Sequence, residues 1–131
     1  MNIEAFVLCD AATDQMGKLN VLGAFDAIYT QKFPTVHAAC AIALRLRFSS
    51  MEKGDHKVDI GIFDEDGKAI IPPLHASFHV AIPPSQNSGV INLILNLQRI
   101  QFPHAGEYAV TLEIDGEEKS VIPLFVKSQV N

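Results

Sequence analysis

The 131-residue sequence has no tryptophan, only two cysteines and no long apolar run, and these shortages exclude several classes of protein. Cys9 and Cys40 stand among apolar neighbours in predicted strands, which indicates reduced core thiols rather than a disulfide. No apolar stretch approaches the roughly 20 residues that a membrane helix needs. The first apolar run, over residues 5–9, is shorter than a signal-peptide core and follows Glu4. We therefore expect a cytoplasmic protein without a membrane partner.

Basic residues are scarce as well, with ten Lys and Arg against 15 Asp and Glu and a formal net charge of −5. They are scattered along the chain, whereas a nucleic-acid surface needs them clustered to neutralise phosphates. A nucleic-acid partner is therefore not expected. The composition, 48% hydrophobic and 19% charged, is that of a globular chain, and its length suits one domain over residues 1–131.

What the chain has in abundance is alternation of apolar and polar residues, with the period of two that is typical of β-strands. No segment of ten or more residues sustains the 3.6-residue period of a helix. The predicted strands cover residues 3–9, 19–29, 39–48, 57–63, 74–82, 88–97, 107–114 and 121–126. A polar loop is predicted over residues 10–18. The pattern predicts an all-β fold, a single-domain sandwich of about eight mostly antiparallel strands.

The clearest local structure is a β-hairpin near the end of the chain. Two of the predicted strands flank Asp115-Gly116, a dipeptide that tolerates the positive φ angles of a tight hairpin turn. A second hairpin is predicted between residues 39–48 and 57–63, in a register that sets Arg47 opposite Asp59. The predicted core consists of Tyr108, Val110, Leu112, Phe48, Leu46, Ile60, Phe78, Leu93 and Leu95.

The segment Gly106-Glu107-Tyr108 resembles the start of the penultimate strand of immunoglobulin-like sandwiches. The tyrosine of that motif sits at a corner, so we predict that the Tyr108 hydroxyl bonds to backbone within residues 102–105. Antibody-type domains add a Cys two residues after this tyrosine and a Trp on an earlier strand. Val110 occupies the first place here, and the chain has no Trp. The resemblance implies an immunoglobulin-like sandwich that is not an antibody relative.

Longer segments resemble a family of small uncharacterised bacterial proteins. They are Ile3–Asp10, Gly17–Asp26 and Pro123–Val126. The resemblance implies a bacterial or phage source and a single intracellular domain. It implies no activity and supplies no functional residues.

Histidines and acidic residues raise the question of a metal site. His75 and His79 have the spacing of zinc ligands on a helix, but on a strand that rises about 3.3 Å per residue their rings lie roughly 13 Å apart, too far for one ion. The segment Asp64-Glu65-Asp66-Gly67 resembles the start of a calcium loop, yet the closing acidic ligand is missing because position 75 is a histidine. A hairpin turn is favoured there, and no metal or other cofactor is predicted.

Acidic side chains at the strand ends form one candidate binding site. Asp10 and Asp14 could converge with Asp64 and Asp66 at one end of the sandwich, as calcium-binding carboxylates do in some two-sheet domains. This convergence is the weaker form of the calcium hypothesis, since it needs no closing ligand within the loop.

Two arginines form the other candidate site. Arg45 and Arg47 project from one strand face about 7 Å apart and could hold an anion. The alternative, which we favour, is that Arg47 pairs across the predicted hairpin with Asp59.

The leading functional hypothesis is a non-catalytic binding or scaffolding module, with an unknown protein partner possible. The chain has no Gly-x-Ser-x-Gly elbow, no electropositive setting for a thiolate and no phosphate-binding glycine motif. The alternative is a small enzyme or ligand carrier with a site built from loops. That site would include Asp10, Asp14, His37, Asp64 and His104.

We also expect self-association into a homodimer. Ile94 lies between Asn92 and Asn96 on a strand face that would normally be polar. The C-terminal strand, which Pro123 marks as an edge strand, is apolar on both sides, so the dimer is expected through the Ile94 face or this edge. Apolar faces and unprotected edges are commonly covered by a second copy of the same chain. The alternative is that residues 29–37 fold over these positions.

Overall fold

The computed structural model describes residues 1–129, whose secondary structure consists of nine strands and one short 3₁₀ turn over Ser50–Glu52. The strands are β1 (Asn2–Gln15), β2 (Lys18–Ala24), β3 (Ala27–Thr30), β4 (Thr35–Ser49), β5 (Gly54–Phe63), β6 (Leu74–Val80), β7 (Ser88–Phe102), β8 (Gly106–Ile114) and β9 (Glu117–Ser128). One sheet has the order β2-β1-β4-β7 and the other β3-β9-β8-β5-β6. The predicted all-β sandwich class is confirmed, with nine strands instead of about eight. The prediction that the C-terminal strand is an edge is wrong, because β9 pairs with β8 on one side and with β3 on the other.

The chain divides into two compact units, each assembled from three separate stretches of sequence. The first contains most of the four-stranded sheet and is made of Met1–Phe25, Cys40–His56 and Ser77–Leu97. The second contains most of the five-stranded sheet and is made of Asp26–Ala39, Lys57–Ala76 and the chain from Gln98 onward. A single domain over residues 1–131 stays a prediction, and its last two residues lie outside the described part. Within residues 1–129, no helix is long and apolar enough to span a bilayer.

The loop predicted over residues 10–18 is wrong, because a hairpin occupies this segment. β1 continues to Gln15, which pairs with Lys18 across the two-residue turn Met16-Gly17. Both turn residues have positive φ, 53° and 81°, as a tight turn between antiparallel strands requires. The polar residues that suggested a loop lie in the exposed half of a strand.

The strand predicted over residues 19–29 is split into two. Ala24 pairs with Cys9 in the four-stranded sheet, whereas Ala27 pairs in parallel with Phe125 in the five-stranded sheet. Gly23, near the end of β2, has a φ of 68°, and a Cβ there would lie 2.5 Å from Asp10 Oδ2, so the position suits glycine.

The hairpin predicted between residues 39–48 and 57–63 is also wrong. After the 3₁₀ turn the chain enters the other sheet, so β4 lies between β1 and β7 while β5 lies between β8 and β6. Arg47 is therefore paired in register with Asn2, and Asp59 with Glu113. Apolar matching alone could not distinguish local from distant strand partners, because the same alternation fits both.

Most of the predicted core is confirmed. Tyr108, Val110, Leu112, Phe48, Leu46 and Ile60 are buried. Phe78, Leu93 and Leu95 are only half-buried. These three residues lie on β6 and β7, which are the last strands of their sheets and lack a neighbouring strand on one side.

The corner tyrosine is confirmed. The Tyr108 hydroxyl donates a hydrogen bond to the backbone carbonyl of His104 at 2.6 Å, within the predicted residues 102–105. Burial raises the pKa of Tyr108, so the hydroxyl remains a protonated donor at neutral pH.

Both cysteines are free and buried, which confirms the prediction of reduced core thiols. Burial, together with smaller contributions from the nearby Cys9 and Asp10, raises the pKa of Cys40 to about 11. Burial likewise raises the pKa of Cys9. Neither thiol ionises at neutral pH, so neither is an effective nucleophile.

Candidate binding site

A pocket of about 460 Å³ lies on one face of the five-stranded sheet. Leu112 and its neighbours at alternate positions on β8 are buried on the opposite face, so the pocket lies on the face that carries Thr111 and Glu113. The apolar part of the lining consists of Ile60, Gly61, Phe63, Ala69, Ile71 and Pro73. The polar part consists of Asp59, His75, Thr111, Glu113 and Glu118.

Gly61 leaves the space that the ring of Phe63 occupies. A Cβ atom at Gly61 would lie 2.5 Å from Cε2 of Phe63 and 3.2 Å from Oγ1 of Thr111. Any larger residue would therefore displace the Phe63 ring. The absence of a side chain lets an aromatic ring lie against bare backbone and form part of an apolar floor.

Three carboxylates cross this face on adjacent strands. Glu113 of β8 is paired in register with Asp59 of β5 on one side and with Glu118 of β9 on the other. Paired positions bring Cβ atoms within roughly 4.5–5.5 Å, and like charges placed directly opposite destabilise a sheet. The Asp59 carboxylate contacts Nδ1 of His75, whereas the ion pairs within residues 1–129 give Glu113 and Glu118 no basic partner. We call Asp59, Glu113 and Glu118 the carboxylate row.

A β-bulge creates the second half of the carboxylate row. The turn Asp115-Gly116 has φ angles of 53° and 85°, and its tight geometry pairs Glu113 with Glu118. Leu112 pairs with Ser120, so at this point the register is shifted by one residue relative to the pairs next to the turn. Without the bulge, Glu113 would face Lys119 and form a favourable pair. Lys119 instead bonds to Glu117, with Nζ 2.8 Å from Oε2.

The predicted acidic site is divided between the two compact units. Asp10 and Asp14 lie on β1 in the first unit, and Asn92 Nδ2 donates to Asp14 Oδ1 at 3.4 Å. Asp64 and Asp66 lie in the second unit, in the turn after β5. Convergence of the four residues stays a prediction. Among residues 1–129, no three His, Cys, Asp or Glu side chains are grouped so that they could hold a metal ion.

Asp64 organises its turn, as the favoured hairpin-turn interpretation predicts. Its Oδ1 accepts hydrogen bonds from the backbone N–H groups of Asp66 at 3.0 Å and Lys68 at 2.8 Å. Gly67 has a φ of 80° and donates its N–H to the Asp64 carbonyl. These bonds use the carboxylate to stabilise the backbone.

Asp64 and His104, two residues of the alternative enzyme site, do come together. They line a pocket of about 340 Å³, where His104 Nε2 lies 3.8 Å from Asp64 Oδ2. The described lining of this pocket has no Ser, Thr, Cys or Tyr that the histidine could activate. His37, another residue of that site, lies on β4.

The predicted arginine site contains its own anion, the carboxylate of Glu4. Arg45 Nε and Arg47 Nε lie 2.9 and 2.5 Å from its two oxygens. Arg45 also donates to Asn92 Oδ1 at 3.1 Å, and Arg47 to Ser88 Oγ at 3.0 Å. The favoured pairing of Arg47 with Asp59 is therefore wrong, because Glu4 on the neighbouring strand takes that place. Binding of an external anion at these arginines stays a prediction.

Glu4 is expected to contribute stability that depends on pH. The hydrogen bond from Arg47, followed by the bond from Arg45, lowers the pKa of Glu4 below the ordinary value of 4.5 for a glutamate. A carboxyl with a lowered folded-state pKa stabilises the fold above its unfolded pKa and loses that contribution as pH falls through the folded value. We expect Glu4→Gln to unfold at lower urea concentration than wild type at pH 7, with the difference shrinking below pH 4.5. Equal midpoints at pH 7 would contradict this prediction.

The carboxylate row was not among the predicted site residues, although part of it could have been found. Counting outward from a two-residue turn at Asp115-Gly116 places Glu113 opposite Glu118. Asp59 could not be placed in the same way, because the sequence pattern predicts that its strand pairs with residues 39–48, which lie in the other sheet. Glu4 gave no local signal, since its partners lie more than 40 residues away.

Comparison with known proteins adds a family and no activity. No curated protein matches the chain at a significant level. Among solved structures, a β-glucuronidase from glycoside hydrolase family 2 is similar at 20% identity and a TM-score of 0.37. The similarity covers 70% of this chain and 11% of that one. Residues 4–127 match the model of DUF6941, a family of unknown function, and the chain belongs to that family.

Proposed function

We propose that this protein is a binding module whose carboxylate row receives a basic, partly apolar segment of a partner protein. The observation that carries the proposal is the alignment of Asp59, Glu113 and Glu118 across three strands at the wall of a 460 Å³ pocket. Pockets of this size are typical of ligand sites, and a sheet face without a partner has no structural need for opposed carboxylates.

The chemistry of the lining favours a Lys or Arg side chain as the bound group. An ammonium or guanidinium between Glu113 and Glu118 would turn a repulsive pair into two charge-assisted contacts. The methylene groups of the same side chain would pack on the apolar floor around Phe63 and Ile71, which long basic side chains do readily. One residue type thus satisfies both parts of the pocket.

The polar groups of the pocket also favour binding over catalysis. His75 is paired with Asp59, and the Thr111 hydroxyl donates to the Gly61 carbonyl at 3.5 Å. The hydroxyl is therefore directed at the backbone of the adjacent strand, and His75 is held by a carboxylate on a different strand. This arrangement supports a site that holds a charged group in place.

The proposed setting is the cytoplasm of a bacterium or phage-infected cell. Two free, buried thiols support a reducing compartment, because disulfides are rare there and common outside the cell. The bacterial source rests on the sequence resemblance described above.

Binding of short peptides tests the proposed function. The probes are three fluorescent peptides of equal length and equal apolar content, with Lys and Arg, with Gln or with Glu at the polar positions, and the measurement is fluorescence anisotropy. We expect the basic peptide alone to bind, with an affinity that falls as salt is added. Equal binding of the Gln peptide, or no binding of the basic one, would contradict the proposal.

Two adjacent glutamates provide the matched pair of variants. Glu118→Gln removes one member of the carboxylate row and should weaken binding of the basic peptide about tenfold, as loss of roughly 1.4 kcal/mol implies. Glu117→Gln makes the same change of charge one residue away, outside the pocket lining, and should leave the affinity within about twofold. Equal losses in both variants would show only a general effect of net charge.

A further inference from the structure

The strand β7 ends the four-stranded sheet with an edge that lacks the usual protection over residues 88–97, before the charged Arg99 with its φ of 54°. It pairs with β4 on one side and is the last strand in the order β2-β1-β4-β7. Natural edge strands are commonly short or carry charges or prolines that prevent pairing with another chain. Residues 88–97 of β7 include no charged residue and no proline. The backbone N–H and C=O groups along this edge are therefore available to a further strand.

The sequence of this edge is symmetric about Ile94. Reading outward, Leu93 and Leu95 flank it, then Asn92 and Asn96, and then Ile91 and Leu97. If a second copy pairs antiparallel with Ile94 opposite Ile94, each Leu faces a Leu and each Asn faces an Asn. Apolar side chains that face each other across two strands cover one another, and the Asn92 amide keeps its bonds to Arg45, Asp14 and Gly17, so the two edges meet without opposed charges. A sequence with this symmetry fits a dimer whose two-fold axis passes through Ile94.

Charge also favours a second copy on this edge. Each chain has a formal net charge of −5, so two copies repel each other unless they meet on an uncharged surface. Residues 88–97 provide one. The edge strand β3 is also uncharged but has only four residues, while the edge strand β2 carries Lys18 and the edge strand β6 carries two histidines held by carboxylates.

Packing within the first unit leaves apolar surface for such a partner. On one face Ile94 packs with Val7, Ala12 and Leu19 on the buried Cys9, Ala41 and Ala43. On the other face Ile91, Leu93 and Leu95 are only half-buried. Pairing of two edges would cover the leucines further without exposing the residues that hold Ile94 in place.

We infer that two copies of this chain join through β7, antiparallel and with Ile94 at the two-fold axis, so that their four-stranded sheets continue into one sheet of eight. The arrangement places Asn92 of one copy opposite Asn96 of the other. It does not involve the carboxylate row, so it stands or falls independently of the proposed binding function.

Light scattering during size-exclusion chromatography tests the dimer, and two asparagines provide matched variants. At micromolar concentration the wild type should have twice the 14.3 kDa mass of one chain. Asn96→Glu places a charge opposite Asn92, whose amide bonds to Asp14, so the dissociation constant should rise at least about tenfold. Asn20→Glu, the same change on exposed β2 at the other end of the sheet, should leave the dimer intact. Circular dichroism melts confirm that both variants are folded.

Cysteine cross-linking tests the register. Chains with Asn92→Cys mixed with chains with Asn96→Cys should form a disulfide-linked dimer, because paired strand positions have Cα separations that suit a disulfide. Neither variant alone should cross-link, since its new thiols lie several residues apart. A monomeric wild type, an equal effect of the two glutamates, or cross-linking of either cysteine variant alone would overturn the inference.

Discussion

Replacing Tyr108 with alanine should lower the free energy of unfolding by about 3–5 kcal/mol, whereas Tyr108→Phe should lower it by about 1 kcal/mol. The side chain is 1% exposed, and its ring meets that of Phe102 edge to face with centroids 5.1 Å apart. On the other side it stacks on His104 at 5.7 Å. Alanine removes all of this packing, while phenylalanine removes only the hydrogen bond to the His104 carbonyl.

Urea unfolding followed by circular dichroism measures both losses. The second tyrosine of the chain, Tyr29, is 59% exposed and makes Tyr29→Phe a matched control that should change stability by less than about 0.5 kcal/mol. If Tyr108→Phe were as stable as wild type, the corner hydrogen bond would contribute nothing. If Tyr108→Ala lost no more than Tyr108→Phe, the ring would not belong to the core.

Neutralising the carboxylate row should change the free energy of unfolding in the opposite direction, making the protein more stable. The triple variant Asp59→Asn, Glu113→Gln, Glu118→Gln should raise the free energy of unfolding by about 0.5–2 kcal/mol, because it removes two pairs of directly opposed carboxylates. Part of the gain is offset by loss of the contact between the Asp59 carboxylate and the exposed His75 ring, which is weak because water screens it. The same variant should no longer bind the basic peptide. Binding and stability would then make opposite demands on these three positions, as is common at functional sites.

Salt separates this explanation from a general effect of surface charge. Added salt screens the repulsion, so it should stabilise the wild type more than the triple variant and narrow the difference between them. Glu117→Gln, which removes the carboxylate that pairs with Lys119, should not stabilise the protein. A triple variant less stable than wild type at low salt would contradict the repulsion.

Local features of the fold could be predicted from the sequence because short-range chemistry determines them. The Asp115-Gly116 turn, the corner bond of Tyr108 and the turn built by Asp64 each depend on residues within a few positions of one another. The positions of most strands followed from alternation, which reports burial of one face and nothing about the neighbouring strand.

Long-range pairing could not be predicted in the same way. Arg47 has two suitable carboxylates in the sequence, Asp59 twelve residues away and Glu4 in β1, and charge matching does not choose between them. The choice is made by the chain entering the other sheet after Ser50–Glu52, a step that has no periodic signal. The place of Asp59 in the carboxylate row depends on the same non-local step, whereas the pairing of Glu113 with Glu118 follows from the local Asp115-Gly116 turn.

The most direct test of the central claim, that the carboxylate row is a binding site for basic segments, is a titration of ¹⁵N-labelled protein with the Lys- and Arg-containing peptide, followed by amide chemical shifts. The account predicts that the perturbed amides cluster around the pocket, at Gly61, Thr111 and Glu118, and that they do not move in the triple variant. Shifts concentrated instead at Glu4, Arg45 and Arg47, or shifts at the pocket that persist in the triple variant, would contradict it.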